Sequence, residues 1–592
     1  MNNKFYENRI GFLNTKIKTK KKIINLIAVL RFVIFSLFAY LLYKYFSNTQ
    51  AIFGVFSIIS IIIFIGLNVI NTYVIYKFKI LKELKKINEI EIKSLNLEFD
   101  DLPSGSEYIS INHNYSSDLD LFGTKSLFQF INRTTTKLGK DKLAFWMKNI
   151  NISSKEIYLR QSAIKELTKL IEWRQLFKAI GTINNLDSFN LGIVENWLFN
   201  NNTFKKNTHL IVYVLSVINI MFITTSLLSY TNIILPIIVS SINLSLVFFQ
   251  IKKINKEHNK LDKFIKSFVK IIKLIEIIEQ QDFKSDKLIE LKNKLFDKDN
   301  NSKKAFKKIN LILNSLDQRG NIIAAVFFNA LFLRDIQLVL NIEKWKNNYS
   351  SNILDWINII SEIDALNSIA NYCFNNDDFI FPSISEKNII CAKQLGHPLI
   401  KKEVNVRNDF FIETLHTFKM VTGANMAGKS TFLRTVGINI ILASIGSCVC
   451  AAQFKFQPVT LFTSMRTSDN LSKETSYFHA ELLRLKRLIE ISKKEKKVFI
   501  ILDEILKGTN SVDKLNGSKR FMIKLIDYPI SGLIATHDLA LGKLEDEYKK
   551  NFSNVCFEIE IKGDDILYDY KIKQGISKNM NATKLMENFK LI

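Results

Sequence analysis

Four long apolar runs interrupt an otherwise Lys-rich chain, and they come as two close pairs. Residues 23–46 and 51–76 form the first pair, and roughly 210–229 and 232–250 form the second. At 1.5 Å rise per residue, each run of the first pair predicts a helix able to cross a bilayer core. The second pair predicts the same, although it carries Asn219, Asn232 and Asn243, and Pro236 is of a kind tolerated in membrane helices. Between the pairs, residues 100–205 read as a mostly helical region with apolar positions at helical spacing from Ser126 to Trp146. Residues 252–380 are Lys/Glu-rich and heptad-like, with almost no Gly, which predicts long packed helices. Beyond Pro382 the rhythm changes to strand, loop and helix, so residues 386–592 predict an α/β domain. The duplicated hairpin is the one internal repeat the pattern reveals.

Charge gives the spans a direction. Lysines 16, 18, 20, 21 and 22 precede the first run, and Lys77, Lys79 and Lys82 follow the second. Lys205 and Lys206 precede the third, while Lys252, Lys253 and Lys256 follow the fourth. Loops within each pair carry no such charge. The positive-inside rule then predicts a multi-pass protein of the inner (cytoplasmic) membrane, with residues 1–22, both hairpin flanks and the α/β domain in the cytoplasm. On this reading the hairpins occupy 23–78 and 209–251. The first run is too long for a signal peptide, no A-x-A site follows it, and a second span comes directly after. Arg31 is a charge within a span, expected to snorkel toward the interface. The net charge of +26, from 82 Lys+Arg against 56 Asp+Glu, permits an anionic partner without naming one. Five cysteines with no C-x-x-C spacing argue for reduced thiols, and against a disulfide framework or a zinc site.

The chemistry is concentrated after residue 417. Gly423-Ala-Asn-Met-Ala-Gly-Lys-Ser-Thr431 satisfies G-x-x-x-x-G-K-[ST], between an apolar strand (Phe418–Thr422) and a helix (Lys429–Ser444). That predicts a phosphate-binding loop for ATP, contributed by Gly423, Ala424, Asn425, Met426, Ala427, Gly428, Lys429, Ser430 and Thr431. Glycines let the backbone turn its N–H groups to the phosphates, and the helix N-terminus adds positive potential. Lys429 would reach the outer phosphates, and Ser430 would hold Mg²⁺. The strand Val498–Leu502 ends in Asp503 and Glu504, which must emerge at its C-terminal end because a buried strand cannot hold paired charges. Asp503 is expected at Mg²⁺ and Glu504 as the base that polarises the attacking water. Gly532–His537 predicts a third strand, ending in a His able to contact the γ-phosphate or the water.

Taken together, GANMAGKST, ILDEILKGTN and ATHDLAL resemble the ATPase domain of the MutS family, relatives of the ABC-type ATPases. Residues Phe462–Glu481 are similar to the family's signature loop and the segment that follows it. The resemblance implies that Ser476 and the loop Gly508–Ser511 reach a partner's nucleotide across a homodimer, and that Glu481 closes the signature segment. Upstream, Leu127–Leu167, with Asn132–Thr136, resembles the start of the family's core domain. Asp364–Ala370 and Gly396-His-Pro398 resemble the join of lever helices to ATPase, and Lys573–Ser577 the C-terminal strand. The chain also departs from the family. Phe5-Tyr-Glu7 matches the mismatch-reading triplet, yet no wedge domain fits ahead of the first span. The 210–250 hairpin stands where the family inserts a DNA clamp, and Lys473 and Glu474 replace the glycines before the signature serine.

The expectation is therefore an ABC-type P-loop ATPase domain preceded by a helical core and lever and two membrane hairpins. The resemblance implies an ATP-hydrolysing, DNA-binding, mismatch-repair-related function. A second reading is an ABC-like mechanical ATPase acting on a membrane protein without DNA. A third, a degenerate scaffold, is opposed by the intact Lys429, Asp503 and Glu504.

Overall fold

The computed structural model describes residues 2–48, 50–150, 153–184, 191–199, 203–204, 207–297, 301–424, 427–465, 477–506, 510–562 and 565–577. The chain divides into two compact units, one of Met1–Arg133, Asp141–Arg174 and Ala365–Ile592, the other of Thr134–Lys140 and Gln175–Asp364.

In the first unit the opening hairpin is longer than its apolar runs. Helices Asn2–Asn48 and Ala51–Leu95 continue well past them, so the basic stretch before residue 23 is helical too. Small residues let the pair approach: Ser57 and Ser60 are buried, and a Cβ on Gly54 would lie 3.1 Å from the Tyr45 ring. The outward face is apolar, with Phe32 74% and Phe46 72% exposed. The Arg31 guanidinium lies 5.7 Å from the centre of the Phe64 ring on the neighbouring helix.

The polar ends of this hairpin lock into the core region. Tyr6 is fully buried, and its hydroxyl donates to Asn375 Oδ1 at 2.6 Å. Arg133 makes a two-point ion pair with Glu91, at 2.6 Å and 3.2 Å, and both side chains are almost wholly buried. Asn375 donates to the same carboxylate at 2.8 Å, Arg133 also donates to Ser94 Oγ at 2.5 Å, and the Arg133 N–H donates to Ser368 Oγ at 2.7 Å. Arg133 thus joins Glu91 and Ser94 of the hairpin to Ser368, far along the sequence in the same unit.

Among the described residues ten strands form the α/β part. They are β1 (Ser383–Ile384), β2 (Ile389–Leu395), β3 (Asn408–Glu413), β4 (Phe418–Gly423), β5 (Gln453–Phe456), β6 (Thr460–Ser464), β7 (Val498–Asp503), β8 (Ile530–Ala535), β9 (Phe552–Lys562) and β10 (Asp565–Gln574). A six-stranded sheet runs β10-β9-β4-β8-β7-β6, parallel except for the antiparallel β9–β10 edge. A smaller sheet runs β1-β5-β2-β3. Strands β4, β7 and β8 are buried along almost their whole length, as strands of a parallel sheet covered on both faces are. Their C-terminal ends lie side by side, and the candidate chemistry collects there.

The second unit holds the other hairpin, Thr208–Leu227 and Ile234–Gln280. Pro236 falls in the first turn of its helix, where no intrahelical N–H bond is lost. A further apolar helix, Ile322–Phe332, packs on both hairpin helices, and the 42-residue helix Arg334–Asn375 follows it. Among the described residues, four helices suit a membrane by length and composition, with mean hydropathies of 2.2, 2.6, 2.2 and 2.0 over their most apolar windows.

Candidate functional site

Strand β4 delivers its last residue, Gly423, into a left-handed turn with φ +142°, beside β9. A Cβ there would lie 2.5 Å from the Phe557 carbonyl oxygen, so only glycine fits. Gly428, at φ +106°, starts the helix Lys429–Ser444, whose bounds are those the sequence predicts. The first-turn N–H groups of such a helix lack intrahelical partners and form an anion-binding end.

Lys429 is buried at the base of this loop. Its ammonium donates to the carbonyls of Gly423 at 2.6 Å and Ala424 at 2.9 Å. Burial lowers its pKa, opposed by the nearby charges of Asp503 and Glu504. Ser430 Oγ donates to Asp503 Oδ2 at 2.9 Å, so the two residues expected to share Mg²⁺ already touch. Glu504 follows β7 in a left-handed conformation, φ +53°, pinned by its N–H donating to Ala535 O at 3.0 Å. Its carboxylate lies 3.2 Å from His537 Nε2. Burial, and then the Lys429 charge, lower the His537 pKa, which favours the neutral imidazole. Lys429, Ser430, Asp503, Glu504 and His537 all line one cavity of about 560 Å³.

The remaining expected residues divide. Ala424, Gly428 and Thr431 line the cavity, and Ala427 is buried in the loop. Asn425, Met426, Ser476 and Gly508 lie outside the described residues. Glu481 is buried and accepts the Leu506 N–H at 2.5 Å, which fixes the chain just after Glu504.

Sequence reasoning missed the opposite wall. His397, Ile400, Val404 and Asn405, between β2 and β3, face the loop together with Tyr570 of β10. Asn405 and His397 brace each other: Asn405 Nδ2 donates to His397 O at 2.9 Å, and the His397 N–H donates to Asn405 Oδ1 at 3.2 Å. Gly396-His-Pro398 was the available signal, read only as a join. Burial pushes His397 down to about 4, and likewise His113 to about 4. Unfolding returns each to about 6.5, so between these values the unfolded chain binds more protons. Stability should therefore fall as pH drops from 6.5 toward 4, by on the order of 3 kcal/mol for His397 and by less for the more exposed, solvent-screened His113. The His397→Gln variant should show a shallower pH dependence of its urea midpoint over that range; an unchanged slope would refute the assignment.

Comparison with known proteins places this part of the chain. Residues 419–588 match the family model described as MutS domain V. The DNA mismatch repair protein MutS of Acetivibrio thermocellus is 32% identical over 228 residues, 37% of this chain and 26% of that protein. The corresponding protein of Persephonella marina is 34% identical over 224 residues, covering 37% and 25%. MutS protein homolog 4 of Mus musculus is 30% identical over 232 residues, covering 38% and 24%. The chain thus spans about a quarter of the length of the curated relatives it matches, and the likeness supports MutS-family kinship for its C-terminal part.

Proposed function

We propose that this chain is a MutS-type ATPase anchored in the cytoplasmic membrane, coupling ATP-driven closure of a homodimer to movement of its lever helices. The observation that carries it is the gathering of Lys429, Ser430, Asp503, Glu504 and His537 around a glycine-bounded loop at adjoining strand ends.

These residues suit a magnesium nucleotide. The loop offers helix N–H groups and a buried ammonium whose present partners, two carbonyls, are ones a phosphate can replace. Ser430 and Asp503 supply hard oxygen ligands, and Mg²⁺ bound there would neutralise charge on the phosphates. Glu504 would accept the proton of the attacking water, held in place by its backbone bond to Ala535. His537 would orient that carboxylate and the water. Ser476 and the loop 508–511 would complete the site from a second copy, so that hydrolysis reports on closure.

The relatives carry DNA mismatch repair in their names, and the charge of +26 suits a polyanion. We take DNA as the partner, bound through backbone contacts. The second reading, a mechanical ATPase working on a membrane protein without DNA, is favoured by the Arg133–Glu91 joint. That joint ties a hairpin helix to the core within the unit that carries the ATPase region. Turnover of purified, detergent-solubilised protein with duplex, mismatched and branched DNA separates the two. DNA-stimulated hydrolysis that falls as salt rises from about 50 to 200 mM is expected. Turnover indifferent to every DNA would overturn the first reading in favour of the second.

A further inference from the structure

Two buried amides sit along the second hairpin where an apolar helix pair has little use for them. Asn219 and Asn243 are both fully buried, and each donates its Nδ2 to the carbonyl oxygen of Ala330 at 2.8 Å. Ser216, one turn before Asn219, is within hydrogen-bonding distance of the Phe332 carbonyl, at 3.2 Å. Both acceptors lie in the last turn of the helix Ile322–Phe332. That helix stops at Leu333 in the left-handed region, φ +46°, and the chain bends by 77° into Arg334–Asn375. The last carbonyls of a helix have no intrahelical partner, and water ordinarily satisfies them. Here the two hairpin amides satisfy Ala330, and Gln337 of the following helix donates to Phe332 at 2.8 Å, so side chains do what an apolar surrounding requires.

The other face of this helix points the same way. Its eleven residues include no ionisable side chain, and Ile322 and Ile323 are 75% and 83% exposed. Val326 and Phe327 continue that exposed apolar face. A surface helix in water turns its apolar stripe inward, whereas this one shows apolar residues outward. The face is continuous with the hairpin: Phe248, Phe249, Ile322 and Val326 line one open cavity. At the helix ends Arg319 is paired with Asp335 at 2.8 Å, and Arg334 keeps its charge while donating to the Gln318 amide oxygen at 2.9 Å.

We infer that Ile322–Phe332 is a re-entrant helix that enters the bilayer from the cytoplasmic side beside the second hairpin. Its outer face, Ile322, Ile323, Val326 and Phe327, then contacts lipid acyl chains. The inference rests on the reading of that hairpin as membrane-spanning. The test uses the unaltered full-length protein, reconstituted into vesicles of phosphatidylcholine carrying a photoactivatable diazirine on one acyl chain. After illumination, adducts are mapped by mass spectrometry. Adducts are expected both on the tryptic peptide 320–334 and around Phe248 and Phe249. Adducts at the hairpin but none on 320–334 would overturn the inference while leaving the spanning hairpin intact. Adducts at neither place would overturn both.

Discussion

Glu504→Gln should lower ATP turnover by about two to four orders of magnitude, the range expected when a positioned general base is lost, while leaving ATP binding in place. The geometry makes this variant clean. Glu504 is held by its own backbone N–H on Ala535, so an isosteric amide changes the chemistry without releasing the loop. Gln can still accept a hydrogen bond in the position facing His537 Nε2, but it cannot take a proton from water. Turnover near the unaltered rate would remove Glu504 from the chemistry.

Arg133→Met should destabilise the protein by about 3–5 kcal/mol, since it leaves the Glu91 carboxylate buried without its guanidinium. Arg133 also donates to the Phe130 and Asn132 carbonyls and to Ser94, so the loss extends beyond the ion pair. The double variant Glu91→Leu/Arg133→Met should cost less than Arg133→Met alone, because the stranded charge goes with its partner. Unfolding of both variants and of Glu91→Leu by denaturant in detergent measures the coupling. Strictly additive losses would mean that the joint does not work as a pair.

Much of the α/β region was legible because its signals are local. A buried parallel strand is a short apolar run, and a glycine-bounded loop must follow it, so the helix Lys429–Ser444 could be read with its bounds. Asp503 and Glu504 could be placed by the cost of burying paired carboxylates. His397, Asn405 and Tyr570 could not, since strand pairing between distant segments brings them to the cavity. The hairpin helices ran past their apolar stretches because Tyr6, Leu13, Ile80, Leu84 and Ile87 continue a buried helical face among lysines. Residues 322–332 were too short to read as a span. Asn219 and Asn243, which looked like blemishes in the second hairpin, turn inward to cap that helix.

Nucleotide retention tests the central claim most directly: radiolabelled ATP with magnesium, bound to purified Glu504→Gln and to Lys429→Ala, followed through a desalting column. Glu504→Gln should carry uncleaved ATP through the column and lose it when magnesium is chelated, whereas Lys429→Ala should emerge empty. Equal retention by the two variants, or none by Glu504→Gln, would contradict the account.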